Sequence, residues 1–451
     1  MKKSGVTSMT EGNPTKLLLA FTLPMLVGNL FQQLYNMVDT IIVGQYLGEE
    51  ALAAVGTTGC LMFLVIGFAN GIAQGFGVMI AQAFGAGNQK QLRHYVALIV
   101  MLTVVVSLVL SLPTTIFSKN LLLLLNVPEN ILGMADSYIK VVFGGLIFTM
   151  AYNVEAGILR GVGDSKTPLY FLLLASVLNI ILDFVLIVFV KMGTAGAAYA
   201  TVIGQGVSAM LCFLYIRLKF PLLRISREDF YRDGPACVRL LALGVPMAIN
   251  YSITAVGTMI LQAAINVFGS SVVASYTAAS KIINLTTQTM PALGTTAATY
   301  CGQNLGAGEY KRIYKGMVCG GILCAIVGIG GAAISLLLEP VMIGMFIPNP
   351  TPETLGYAHM YLVKACTCMV PLAWIFLYRS AMQGLSKALV PMLCGVVELA
   401  SRFAVIMIVS KPFGYNGVCW TDPICWLVTG VMVLIAYYIW EIKFRKTHVS
   451  M

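Results

Sequence analysis

Long uninterrupted apolar stretches are the feature that most restricts how this chain can fold. Three of them, Tyr95–Phe117, Tyr170–Val190 and Trp426–Trp440, contain almost no charged residue. Each spans or nearly spans the roughly 20 residues that a helix needs to cross the hydrocarbon core of a bilayer. Lipid offers the backbone no hydrogen-bond partner, so runs of this kind must form helices. The sequence therefore predicts an all-α protein that crosses a membrane many times.

The composition excludes a soluble globular protein. Of the 451 residues, 58% are hydrophobic and only 10% are charged, whereas a soluble domain carries about a quarter charged residues to face water. Apolar residues begin near Leu17 and run on to Asp39 without a small-residue cleavage site, so we expect the first helix to be retained and not removed as a signal peptide. The 11 cysteines show no metal-ligand spacing, and we interpret them as small hydrophobic residues.

Apolar runs between polar breaks predict twelve spans. Their approximate limits are 15–42, 51–80, 95–117, 133–158, 167–190, 195–217, 237–264, 273–300, 316–338, 355–380, 389–410 and 418–441. Basic residues test this number, because short cytoplasmic loops are enriched in Lys and Arg. Every second loop is basic, beginning with Lys2 and Lys3, and the intervening loops hold only Lys119, Lys191 and Lys411. This asymmetry predicts cytoplasmic termini, and it accounts for the net charge of +10 without a nucleic-acid partner.

The chain repeats itself on either side of a polar stretch, Lys219–Arg239. The run Phe84–Lys90 recurs at Leu305–Lys311, an offset of 221, and both copies contain Gly-Ala-Gly. Leu23-Pro-Met25 likewise recurs as Val245-Pro-Met247. Each half holds six predicted helices, an even number, so both halves enter the membrane from the same side and form parallel repeats.

Two pseudo-symmetric six-helix lobes around a central cleft follow from this repeat. We predict an N-lobe over residues 1–220 with helices 1–6, a cytoplasmic linker over 221–236, and a C-lobe over 237–451 with helices 7–12. Many of the 44 glycines are expected to allow close helix packing in lipid, as at Gly71-x-x-x-Gly75.

Several of these motifs together resemble one family. They are the proline of Leu23-Pro-Met25, the run Met37–Gly44, the Gly-Ala-Gly loop, the segment Leu159–Pro168 and the loop Gly302–Gly308. They are similar to motifs of the multidrug and toxic compound extrusion (MATE) family, in register over nearly the whole chain. The resemblance implies twelve helices in two lobes and the export of cationic or amphipathic drugs in exchange for H⁺ or Na⁺. No cofactor is expected beyond this coupling ion.

A polar stripe on the first helix includes an acid within the predicted span. Gln32, Tyr35 and Asn36 precede Asp39 by seven, four and three residues, so the four side chains lie on one helix face. A charge inside a bilayer is costly unless it is paired or hydrated. We therefore expect the stripe to line the substrate cleft, with Pro24 as a hinge below it. The alternative is a hydrated acid near the helix end with a structural role.

A second acid, Asp183, follows Asn179 by four residues on helix 5, so the two side chains are neighbours. The resemblance implies that this pair, together with Asp39 and Thr201, forms a first-lobe cation site that binds a proton or Na⁺. No catalytic residue and no other metal site is expected. The alternative is a hydrogen-bonded pair that only locks helix packing.

Glu155 and Lys281 are two further charged residues within the predicted spans. Tyr152 and Glu155 are three residues apart on helix 4, a pair suited to contact a lipophilic cation in the cleft. An ion pair between Glu155 and Arg160 is an equal alternative. Lys281 matches a basic position common on helix 8 of the family, and its role is open.

The second half lacks the acids of the first. The internal offset increases slightly along the chain, and at 222 to 223 it places Leu261, Arg402 and Ile406 at the positions that correspond to Asp39, Asn179 and Asp183. This difference favours ion coupling in the first lobe. Glu398 precedes Arg402 by four residues, and we expect these two to pair with each other.

These features predict a secondary active multidrug efflux antiporter that works by alternating access. Its partners would be small lipophilic or cationic drug-like compounds and membrane lipid, and we expect a monomer in the cell (inner) membrane. One rival is a flippase for a lipid-linked sugar or another amphipathic lipid, which would need several cleft arginines where the spans offer little beyond Arg402. An enzyme is the other rival, but the spans hold no His/Asp or Cys/His grouping and no Gly-rich phosphate loop.

Overall fold

The computed structural model describes residues 7–346 and 351–448, and this part of the chain is almost entirely helical. Lys2 and Lys3, which the charge argument used, lie outside the described residues, and so does the side chain of Lys411. The helices, numbered along the chain, are α1 (Pro14–Leu47), α2 (Glu49–Gly85), α3 (Gln89–Ile116), α4 (Ser118–Leu124), α5 (Glu129–Gly144), α6 (Leu146–Gly161), α7 (Lys166–Asp183), α8 (Thr194–Lys219), α9 (Gly234–Asn266), α10 (Ser270–Thr286), α11 (Thr289–Gly306), α12 (Tyr310–Leu337), α13 (Glu339–Phe346), α14 (Pro352–Thr367), α15 (Met369–Gly384), α16 (Leu389–Val418) and α17 (Thr421–His448).

The described residues hold nine to 11 candidate membrane spans, where the sequence predicted twelve. Within the described residues, nine helices are long and apolar enough to cross a membrane. Two bent pairs, α5 with α6 and α14 with α15, bring the number to 11, with bends of 45° and 51°. The predicted eighth span corresponds to α10 and α11, which are separated by a short break. The all-α polytopic membrane class is confirmed.

The helices form two compact units. The first is built from Leu23–Ala248, and the second from Met9–Thr22 with the chain from Ile249 onward. Helices α1 and α9 therefore contribute to both units, and Pro24 and Pro246 lie close to the points where the chain changes unit. The lobes predicted from the internal repeat, over 1–220 and 237–451, stay a prediction.

Close packing in the first unit depends on two glycines of α2. A Cβ atom at Gly75 would lie 2.4 Å from Gly244 Cα, and one at Gly71 would lie 2.4 Å from the Ala248 nitrogen. No side chain fits at these distances, so α2 contacts the backbone of α9 directly. The close approach predicted from Gly71-x-x-x-Gly75 is therefore confirmed.

The connection between α8 and α9 packs on the start of α3. The buried His94 ring lies with Nδ1 2.9 Å from the Asp229 carbonyl oxygen and Nε2 3.3 Å from Asp233 Oδ2. The Tyr231 ring stacks on it at 3.7 Å. Backbone and hydroxyl hydrogen bonds from Ser226 hold the pKa of the Asp229 carboxyl below its ordinary value. These contacts fix most of the predicted linker to the first unit.

The sequence of the segment Leu159–Pro168 is explained by the turn that it forms before α7. Gly163 has φ +94°, and a Cβ there would lie 2.2 Å from the Thr7 carbonyl oxygen. The Thr7 N–H in turn donates to the Gly163 carbonyl at 3.1 Å. Asp164 Oδ1 then accepts from the Thr167 N–H at 3.0 Å, which caps the first turn of α7. The motif therefore orients the helix that carries Asn179 and Asp183.

Replacing Gly75 by alanine should destabilise the protein, because the new Cβ would push α2 away from α9. We expect a loss of about 1–3 kcal/mol in unfolding free energy, as for other overpacked interiors. Thermal unfolding of the purified protein in detergent measures this loss. Gly59→Ala is the matched control on the same helix, since nothing lies within 4 Å of a Cβ there. Equal unfolding temperatures for the two variants would contradict the packing described.

Candidate cation site

Two carboxyl groups lie side by side in the first unit. Asp39 comes from α1, and Asp183, which is fully buried, ends α7; the two are within hydrogen-bonding reach of each other. Asp39 Oδ1 and both carboxyl oxygens of Asp183 are buried, and no donor in the described part of the chain reaches them. Adjacent carboxylates repel strongly in a medium of low dielectric constant. The pair therefore requires a proton or a cation whenever it is sealed from water.

A third polar group, Asn179, lies one turn before Asp183 on α7. It is only 3% exposed, and its Nδ2 donates to Thr201 Oγ1 on α8 at 3.3 Å. The Thr201 hydroxyl donates to the Ala197 carbonyl at 3.2 Å. Asn179 Oδ1 is buried and has no hydrogen-bond partner among the described residues. The structure thus pairs Asp39 with Asp183 and Asn179 with Thr201, and it leaves four buried oxygens without a donor.

A small cavity of about 10 Å³, the space of roughly one water molecule, adjoins the site between α1, α7 and α8. Its lining residues are Tyr35, Leu172, Ala175, Ser176, Asn179, Thr201, Gly204 and Gln205. Gln205 was not predicted from the sequence, although it follows Thr201 by four residues and so shares its helix face. Its Oε1 is buried without a partner in the described residues. The cavity combines apolar walls with oxygen and amide groups.

The backbone also changes its winding at this site. Directly after Asp183 the chain forms a π-helix over Phe184–Phe189. Such segments are rare and occur frequently at functional sites. The Phe184 ring packs edge-on against Tyr46 of α1 at 5.6 Å, so the π segment touches the helix that carries Asp39.

Tyr138 of α5 is a further residue that sequence reasoning missed. It is buried, and its phenol lies in the electrostatic neighbourhood of Asp39, Asp183 and Tyr35. The spacing of residues along α5 does not indicate this role, because Tyr138 comes close to the two acids only through the packing of α5 against other helices.

The rest of the predicted stripe on α1 is more exposed. Gln32 is exposed and lies within hydrogen-bonding reach of Tyr35. Asn36 is exposed, and its carbonyl accepts from the Thr40 hydroxyl at 2.8 Å. Helix α1 runs without a break through Pro24. The assignment of Gln32, Tyr35 and Asn36 to a substrate cleft, and of Pro24 to a hinge, stays a prediction.

Tyr152 and Glu155 lie on α6 in different surroundings. The Tyr152 hydroxyl donates to the Pro168 carbonyl at 2.9 Å, and its ring belongs to an apolar cluster with Leu172. Glu155 Oε2 is buried without a partner in the described chain, and the Cys212 thiol lies beside this carboxyl. Contact of this pair with substrate stays a prediction, and so does the ion pair with Arg160.

The second unit contains its own buried charges. Arg402 Nη2 lies 3.2 Å from Glu398 Oε1 and 3.2 Å from Asp422 Oδ1, so the predicted pair with Glu398 is confirmed and gains a second acid. The Tyr361 hydroxyl donates to Asp422 Oδ2 at 3.0 Å. Lys281 is exposed on α10. In the second half, Arg402 occupies the position that corresponds to Asn179 in the first half. Its guanidinium is therefore a positive charge that belongs to the protein itself.

An all-helical membrane fold with polar groups sealed inside one helix bundle fits a membrane transporter. The MatE family model matches residues 24–185 and 246–408. The chain belongs to this family.

Comparisons with individual proteins agree with this assignment. The chain is 33% identical over 352 residues to the Bacillus subtilis protein named probable multidrug resistance protein YoeA, covering 76% of this chain and 75% of that one. It is 24% identical over 424 residues to the FAD transporter of Shewanella oneidensis, covering 92% of each. A crystal structure of MATE in the bent conformation matches with a TM-score of 0.92 at 21% identity, covering 100% of both chains. The fold is therefore that of the solved MATE structures.

Replacing Arg402 by methionine should destabilise the second unit, because Glu398 and Asp422 would remain buried without a counter-charge. We expect a loss of about 3–5 kcal/mol in unfolding free energy, the usual cost of breaking a buried ion pair. Adding Glu398→Gln should recover part of this loss, since one of the two buried charges is removed. Lys281→Met, at an exposed lysine, is the control. Unfolding of Arg402→Met at the wild-type temperature would contradict this account.

Proposed function

We propose that the chain is a secondary active multidrug efflux antiporter that exports cationic or amphipathic compounds in exchange for H⁺ or Na⁺. One observation carries the proposal: Asp39 and Asp183 are adjacent, and three of their oxygens are buried without a donor among the described residues. A purely structural pair would be expected to hold a permanent partner, as Glu398 and Asp422 hold Arg402. A pair without one is suited to take up and release an ion in each cycle.

Both candidate ions fit the donor set. A single proton shared by the two carboxyls would remove their repulsion. Na⁺ would find carboxylate, amide and hydroxyl oxygens from Asp39, Asp183, Asn179 and Thr201, the ligand type that hard cations prefer. Asn179 Oδ1 favours a role beyond helix packing, because it is buried and makes no hydrogen bond within the described residues.

Coupling follows from the charge of the pair. A ligand shifts a conformational equilibrium only if its affinities for the two states differ. When the pair is charged, water or a cation must reach it; when it is neutral, α1 can close on α7 and α8. We propose that neutralisation repacks α1 near Pro24, narrows the cavity beside Asn179 and Thr201, and releases the drug on the outside. Loss of the ion to the cytoplasm would restore the drug-accepting state, which is alternating access.

The cargo class is proposed from the relatives and the site chemistry together. One relative is named a probable multidrug resistance protein, and Tyr35 offers an aromatic face in the cavity to an organic cation. A flippase for an anionic lipid-linked sugar is not favoured, because the Arg402 guanidinium is already neutralised by two carboxylates. Another relative is named an FAD transporter, so the test below includes this compound as cargo.

Asp39→Asn and Asp183→Asn should each lower gradient-driven export by about tenfold or more, because an amide cannot change its charge and so cannot bias the two states. The measurement is export of ethidium by proteoliposomes that contain equal amounts of folded transporter, with pH and sodium gradients imposed separately. The gradient that drives export identifies the coupling ion. FAD-loaded vesicles test the other cargo.

Asp136→Asn is the matched control, because this carboxylate of the same unit is already paired with Lys140 at 2.6 Å. It should leave export unchanged. Normal export by the Asp39→Asn, Asp183→Asn double variant would refute the assignment of the coupling site.

A further inference from the structure

A second, narrow cavity of about 20 Å³, large enough for an ammonium-sized group, lies in the second unit between the first turns of α12 and the last turns of α17. We call it the α12–α17 cavity. Its lining residues are Tyr310, Lys311, Ile313, Tyr314, Trp440, Glu441, Phe444 and Arg445. It lies where one candidate membrane span begins and another ends. At this depth a membrane protein meets lipid headgroups, where tyrosine, tryptophan and basic residues are enriched.

Aromatic rings form the walls of this cavity. The Trp440 and Phe444 rings stack with centroids 4.8 Å apart, and Tyr310 meets Phe444 edge-on at 4.8 Å. The Arg445 guanidinium lies over the Tyr314 ring at 4.7 Å. The faces of such rings attract ammonium and guanidinium groups. The Tyr314 ring in the cavity wall therefore already contacts a cation, the Arg445 guanidinium.

Charges of both signs face the same space. The Glu441 side chain is only 8% exposed, and its Oε1 lies 2.9 Å from Arg445 Nε. The other oxygen, Oε2, is free of that ion pair. Lys311 and Arg445 are exposed at the rim. The cavity thus has an acidic, aromatic inner part and a basic outer part.

This arrangement matches a ligand that carries both an ammonium and a phosphate. A simple organic cation would use Glu441 and the rings but would be repelled by Lys311 and Arg445. A free phosphate would use the two basic residues but would be repelled by Glu441. A headgroup in which phosphate and ammonium are joined satisfies all of these groups at once, with phosphate at the rim and ammonium inside.

Helix α12 also provides a path for the acyl chains. Ile322 and Ile329 follow Lys311 by 11 and 18 residues, about three and five helical turns, so all three lie on one face. Both isoleucines are largely exposed, at 58% and 64%. An apolar stripe therefore leads from the basic rim along the helix into the depth of the bilayer.

We propose that the α12–α17 cavity binds the headgroup of an aminophospholipid. Lys311 and Arg445 hold the phosphate, and Glu441 with the aromatic walls holds the ammonium. The acyl chains lie along the exposed face of α12. The bound lipid ties the start of α12 to the end of α17.

The test measures which lipids the purified full chain retains. Nanodiscs with equal amounts of phosphatidylethanolamine and phosphatidylglycerol supply both headgroups, and native mass spectrometry counts the lipid that stays bound. The wild type should prefer phosphatidylethanolamine. Lys311→Gln should weaken retention of both lipids by about fivefold, the effect expected of one basic residue at an anionic surface. Glu441→Gln should abolish the preference for phosphatidylethanolamine and leave phosphatidylglycerol retained.

Lys315→Gln is the matched control, since this exposed lysine lies one turn further along α12 and does not line the cavity. Lys311 is itself exposed, so its replacement should not disturb folding, and unfolding temperatures check this. Equal retention of the two lipids by the wild type would overturn the proposal, as would equal effects of Lys311→Gln and Lys315→Gln. Displacement of the lipid by tetraphenylphosphonium, equally in wild type and Lys311→Gln, would assign the cavity to organic cations instead.

Discussion

Burial of three carboxyl oxygens of Asp39 and Asp183 is the constraint on which the chemistry of the first unit depends. In bulk water two neighbouring carboxylates repel weakly, but in a helix bundle surrounded by lipid the same pair cannot stay doubly charged without compensation. Tyr35 and Tyr138 lie near the pair, and no basic side chain of the described residues neutralises it. In the proposed function, an exchangeable ion compensates this charge, and its binding and release change the charge that the fold must accommodate.

In the second unit, buried carboxylates are neutralised by a side chain of the protein itself. The Arg402 guanidinium neutralises both Glu398 and Asp422. The Tyr361 hydroxyl also donates a hydrogen bond to Asp422. The two repeats thus differ at this point: a cation built into the chain neutralises the acids of the second unit, and in the proposed function the acids of the first unit bind a mobile one. In that function, the difference restricts ion exchange to one half of the repeated fold.

Much of the fold and part of the site could be predicted, and the failures have physical causes. Hydropathy locates spans well because lipid demands apolar helices, but it does not report bends, so the breaks after Gly144 and Thr367 were not foreseen. Spacing on one helix found Asn179 beside Asp183. Tyr138 and the π-helix after Asp183 were missed because both depend on contacts between helices, which no periodicity within one helix records.

The segment between α8 and α9 has a practical consequence. Its length and polarity resemble those of a flexible joint, yet the His94 ring is stacked on Tyr231 and bound to the Asp229 backbone. An epitope tag or fluorescent reporter inserted between Ser226 and Asp233 would have to break this anchorage. Membrane topology is therefore better mapped with labels placed outside this segment.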